Sequence, residues 1–162
     1  MARALFGIAL LFAVTATPAA ERISAAEAHD RVQNGVLLLV DVRTPAEWQS
    51  SGLPMGSQPL SMHDADFLER LDALSARHPN LPIALMCATG GRTRWLGPAL
   101  ESRGYARVVE VDEGMFGSAG GPGWLARGLP VVDVGGQPRA APAGPAWWRR
   151  WAPWRRPTWS ER

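Results

Sequence analysis

Ile83-Ala84-Leu85-Met86-Cys87-Ala88-Thr89-Gly90-Gly91-Arg92-Thr93 runs from an apolar segment, through the only cysteine of the chain, into a glycine pair and an arginine. Four apolar residues without alternation suit a strand buried on both faces, as in a parallel sheet. Apolar periodicity returns after the glycines and predicts a helix from about Thr93 to Arg103, closed by Gly104. Cys87 thus stands at the carboxyl end of a buried strand, where ligand sites form in parallel α/β sheets. Two glycines let the backbone curl with successive N–H groups turned inward. The helix start adds its positive dipole end and Arg92 adds a formal charge. All three favour a thiolate at Cys87, a nucleophile among donors that also stabilise an outer sulfur bearing negative charge. A buried, inert cysteine is the competing reading. It gives no reason for Gly-Gly-Arg to follow.

Working outward, Ser24-Ala25-Ala26-Glu27 is a capping box and predicts a helix to about Gln33, closed by Asn34-Gly35. Val36 to Val40 is a second continuous apolar run, ending at Asp41. Thr44-Pro45-Ala46-Glu47 repeats the helix-start logic, with proline at the first helical position. Residues 51–61, with two Gly and two Pro, read as loop or very short strand. Asp64 to Arg77 sets Phe67, Leu68, Leu71 and Leu74 on one helical face. Val108 to Val111 is a third strand, and a Gly/Pro-rich stretch leads to Trp124, a helical turn and Leu129 to Val132. Strands alternating with helices at these spacings predict an α/β domain with a mainly parallel central sheet flanked by helices.

The two ends differ from this body. Arg3 followed by the uncharged apolar run Ala4 to Ala16 and small residues reads as a signal peptide over residues 1–20, cleaved after Ala16, Ala19 or Ala20. The expectation is export to the periplasm or cell envelope, with an uncleaved membrane anchor as the competitor. A single cysteine excludes an intramolecular disulfide and a cysteine-based metal site. Residues 139–162 hold six Arg and one Glu, whereas residues 1–138 hold eleven Arg against fourteen acids. The basic character therefore belongs to the tail, and a mildly acidic body argues against nucleic acid as a partner. The tail, 138–162, reads as non-globular and Pro/Trp/Arg-rich; Trp147, Trp148, Trp151, Trp154 and Trp159 alternate with arginines. That composition predicts peripheral contact with a lipid surface, against docking on this domain or a partner protein. The folded domain is placed at residues 21–137.

The loop resembles the active-site loop of the rhodanese homology family, in which glycine follows the cysteine by three positions and arginine by five. Cys87, Gly90 and Arg92 match, and Thr93 stands where the family usually has serine. Leu39 to Trp48, with Asp41, Arg43 and Glu47, is similar to the family's upstream motif, and Gly114 with Gly123 to Val131 resembles its closing segment. The resemblance implies a rhodanese-like fold and a sulfurtransferase without cofactor or metal, passing sulfur from a small donor to a thiol or protein acceptor. Cys87 would carry the sulfur as a persulfide and Arg92 would assist. Ala88, Thr89, Gly90, Gly91 and Thr93 would form the substrate loop, and Asp41 and Arg43 would support it. Two departures stand out. Leu53 replaces a family histidine, and Ala88 stands where rhodaneses that use thiosulfate often carry a basic residue. Phosphatases of related layout place one more residue between cysteine and arginine, so the tighter ring here fits one sulfur better than a phosphoryl group. A non-catalytic binding or redox-sensing module of the same family is the remaining alternative. His29, His63 and His78 are read as surface residues, none of them a general base.

Overall fold

The computed structural model describes residues 20–137; the leader and tail readings fall largely or wholly outside them. Five parallel strands form one sheet in the order β1-β6-β5-β2-β4. They are β1 (Glu21–Ile23), β2 (Leu38–Asp41), β4 (Gln58–Pro59), β5 (Ile83–Met86) and β6 (Val108–Val111). Strand β5 is central, and its in-register pairing sets Asp41 of β2 opposite Met86. The connection from β2 leads outward to β4 and that from β5 leads the other way to β6. The carboxyl ends of β2 and β5 therefore flank the point where the winding reverses, the usual place for a ligand crevice.

The continuous apolar runs are explained by cover on both faces. Leu38, Val40, Ile83, Leu85 and Cys87 pack on one side with Phe67, Leu71 and Leu74 of α3 (Phe67–Arg77) and Leu96 and Leu100 of α4 (Gly91–Glu101). Leu39, Ala84, Met86, Val109 and Val111 pack on the other with Ala25 and Ala28 of α1 (Ala25–Gln33) and Trp124 of α5 (Gly123–Ala126). Helix α2 (Pro45–Ser51) follows β2 directly.

A short antiparallel pair, β3 (Leu53–Pro54) with β7 (Val131–Val132), clasps the closing segment to the domain. Trp124 is fully buried beneath it and donates its Nε1 proton to the Pro130 carbonyl at 2.9 Å.

The caps refine the sequence reading. Thr44 forms the full capping box with Glu47. Ser24 accepts from the Glu27 amide, but the Glu27 carboxylate turns outward to Arg31 at 2.7 Å, so only half of that box exists. Helix α4 starts at Gly91, two residues before the periodicity suggests, because Gly90 makes the turn at φ 78°. His29 departs from expectation: it is half-buried, with its ring edge-on to Trp124 at 5.6 Å. Among the described residues no helix is long and apolar enough to cross a membrane.

Candidate active site

Cys87 directly follows β5 and is 1 % exposed. Backbone bonds from the chain beyond β6 hold the loop that follows: the Met115 amide donates to the Cys87 carbonyl and the Phe116 amide to the Ala88 carbonyl, each at 2.9 Å. Fit here is close. A Cβ on Gly114, at φ 61°, would lie 2.7 Å from the Cys87 and Ala88 carbonyl oxygens. One on Gly90 would lie 2.3 Å from the Asp112 carbonyl oxygen. Glycine is required at both places by the left-handed φ and by the missing room.

Thr89 and Gly91 are exposed, Ala88 and Arg92 partly so, and Gly90 and Thr93 buried. No side chain caps α4, whose N-cap position is the left-handed Gly90. Its first-turn amides have no intrahelical acceptor and remain available to an anion held in the loop. The Cys87 thiol points to Thr93 Oγ1 across a long 3.9 Å contact, while the Thr93 hydroxyl donates to the Gly90 carbonyl at 3.0 Å. Thr93 is thus tied to the loop it faces, within reach of the sulfur.

Arg92 is engaged on its other side. Nη1 and Nη2 donate to Glu47 Oε2 and Oε1 at 2.9 and 2.5 Å, a bidentate pair across the β2–β5 crevice. Glu47 meanwhile accepts from the Thr44 amide and hydroxyl, both at 2.9 Å. Hydrogen bonds from Arg92 first, and from Thr44 next, outweigh partial burial and hold the Glu47 carboxyl down to about 2. The same pairing with Glu47, with a smaller contribution from Cys87, raises the Arg92 guanidinium further above its ordinary value. Sequence reasoning had given Glu47 a capping role alone. The signal for the second role was an acid on one turn and a base on the other, joined only once β2 and β5 pair.

Asp41 and Arg43 are both fully buried. Arg43 Nε and Nη2 bind the Asp41 carboxylate at 2.6–3.0 Å, while Nη1 and Nη2 reach Ser51 Oγ and the Gly52 carbonyl at 2.6 and 2.7 Å. These bonds lock the end of α2 to β2 and none of them goes to the Cys87 loop. The helix held in this way, α2, carries the Glu47 that pairs with Arg92. Beyond β6, Glu113 is 1 % exposed and is held by Arg127 and the Gly123 amide, which closes the segment backing the loop. Arg94 pairs with Asp112 at 2.9 Å.

Comparison with known proteins agrees with this layout. The family model of the rhodanese-like domain matches residues 24–119. A sulfurtransferase of Allochromatium vinosum is 30% identical over 100 residues, covering 59% of this chain and 78% of that protein. A tRNA uridine(34) hydroxylase of Chlamydia pneumoniae is 27% identical over 113 residues, 67% of this chain but 35% of that protein. The chain thus spans about a third of the length of relatives of that kind. Among solved structures, the polysulfide-sulfur transferase homodimer of Wolinella succinogenes superposes with a TM-score of 0.54 at 28% identity, covering 70% of this chain and 79% of that one. The rhodanese-like domain of an Anabaena protein, at 22% identity and a TM-score of 0.54, covers 73% of this chain and 81% of that one and shows the shared fold.

Proposed function

Since this chain belongs to the rhodanese-like domain family, we propose that it is a sulfurtransferase in which Cys87 carries sulfane sulfur as a persulfide. The observation that supports this most is the placing of one cysteine at the carboxyl end of the central strand, inside a turn that leads straight into an uncapped helix start. In the reaction the Cys87 thiolate attacks the sulfane sulfur of a donor X–S. The Sγ–S bond forms, the X–S bond breaks, and the electron pair leaves on X. An acceptor thiolate then attacks the outer sulfur and returns Cys87 as thiolate. Backbone amides of the loop and Arg92 stabilise the negative charge that the outer sulfur carries between the two steps. Thr93 offers a hydroxyl within reach of the sulfur.

The sulfurtransferase and polysulfide-sulfur transferase relatives support the reaction class. The tRNA substrate of the hydroxylase relatives is not carried over, because the body of this chain has more acids than arginines. Mass analysis after exposure to thiosulfate, a small-thiol persulfide or polysulfide should show one added sulfur, lost completely in Cys87→Ser. No adduct with any donor would instead support the non-catalytic binding or redox-sensing module. Export to the periplasm or cell envelope and lipid contact by residues 138–162 belong to the same proposal. Both rest on the terminal sequence patterns. Cell fractionation with and without the tail tests them: cytoplasmic recovery would sink export, and equal membrane recovery would sink the lipid contact.

A further inference from the structure

We propose that Glu47, by occupying the fork of Arg92, tunes the loop for organic hydropersulfide donors over thiosulfate, an inference that rests on the sulfurtransferase reading. The arginines beside the crevice are each matched by a carboxylate. Arg92 pairs with Glu47 at 2.5 Å, Arg94 with Asp112 at 2.9 Å and Arg43 with Asp41 at 2.6 Å. Ala88, next to the nucleophile, adds no charge. What faces a donor is therefore a set of backbone amides and one guanidinium whose Nη1 and Nη2 are already bound to a carboxylate.

The two donor classes place very different demands on that environment. Thiosulfate brings two negative charges to a thiolate, so three must share the loop while the S–S bond breaks and the pair leaves on sulfite. A hydropersulfide reacts as an electrophile in its R–S–SH form, whose S–S–H group is neutral. The thiolate attacks its outer sulfur, the bond to R–S breaks, the pair leaves as R–S⁻, and that thiolate takes the proton so that the transferred sulfur stays in the loop as the anion. At the reacting sulfurs one negative charge is present throughout. A neutralised cradle of amides suits the second case, whereas the first needs uncompensated cations in a partly desolvated site. Phe116, whose amide donates to the Ala88 carbonyl, is 52 % exposed and puts an accessible aromatic residue in the segment next to the loop.

Glu47→Gln separates charge from structure. Glutamine also serves at the third position of a capping box, so the Thr44 cap survives while the carboxylate charge is removed. The measurement is the rate of Cys87 persulfide formation from glutathione persulfide and from thiosulfate, at equal concentration and ionic strength. In the unaltered protein the hydropersulfide should be faster by about tenfold or more, the scale of one unscreened charge interaction at a partly buried site. In Glu47→Gln the preference should shrink by about tenfold, mainly through faster use of thiosulfate. Ala88→Arg, which leaves the capped helix untouched, should shift the ratio in the same direction. Equal rates in the unaltered protein, or a ratio that neither variant moves, would overturn the proposal while leaving sulfur transfer intact. Failure of every donor to form the persulfide would remove the sulfurtransferase reading itself, and this inference with it.

Discussion

The turn that leaves β2 and the turn that leaves β5 lie side by side at the carboxyl edge of the sheet, and they treat their polar groups in opposite ways. After β2 the chain uses side chains. Asp41 and Arg43 bury a bidentate pair, Arg43 also holds Ser51 and Gly52, and Thr44 and Glu47 cap the helix reciprocally. After β5 it uses almost none: two glycines and an uncapped helix start leave backbone donors open around Cys87. Lost hydration is repaid within the protein at the first turn, while at the second it is left for a ligand to repay. The two are coupled at one place, where Glu47 of the closed turn takes hold of Arg92 of the open one.

The largest expected effect lies in the closed turn. Arg43→Met leaves the Asp41 carboxylate buried without its cationic partner, which should cost about 3–5 kcal/mol and lower the midpoint of thermal unfolding by more than about 10 °C. A loss under about 1 kcal/mol would mean that the pair is not the joint between β2 and α2. The next effect lies in the open turn. Gly90→Ala forces a left-handed φ that costs ~1–2 kcal/mol and drives a Cβ toward the Asp112 carbonyl. Chemistry should suffer more than stability here, so persulfide formation should fall by a larger factor than the urea midpoint implies. Unchanged kinetics would show that the open turn tolerates another backbone path.

The smallest effect concerns the link between them. Glu47 titrates lower in the folded protein than its ordinary 4.5, at about 2, so its pairing adds stability above the ordinary value. That contribution should fade as pH drops from about 4.5 toward 2, and because Glu47 is partly exposed, added salt should shrink it. Urea midpoints of the unaltered protein and Glu47→Gln should therefore differ at pH 6, draw closer by pH 3 and meet only near pH 2. A gap that stays constant across that range would deny the ion pair a part in stability.

Much of this was legible in the sequence because it is local. The Thr44 cap, the buried runs of β2 and β5 and the glycine pair after Cys87 each declare themselves within a few residues. Other features exist only through pairing. Strand β1 is three residues long, two of them exposed, and becomes a strand only by lying against β6. The second role of Glu47 depends on an arginine on another turn, and the buried state of Arg43 depends on the end of α2 folding back over it. Periodicity carries no information about such meetings. The early start of α4 was hidden for a related reason: glycine is a poor helix former, and tertiary context at Gly90 overrides it.

The clasp between β3 and β7, and the pairing of β1 with β6, join segments far apart in the sequence. Closing such long loops costs chain entropy that local helices never meet. Neither the edge strand nor the lid over Trp124 can form until nearly all of the domain has been synthesised. Until residues 131–132 are present, the roof over Trp124 is therefore an open edge rather than a closed wall.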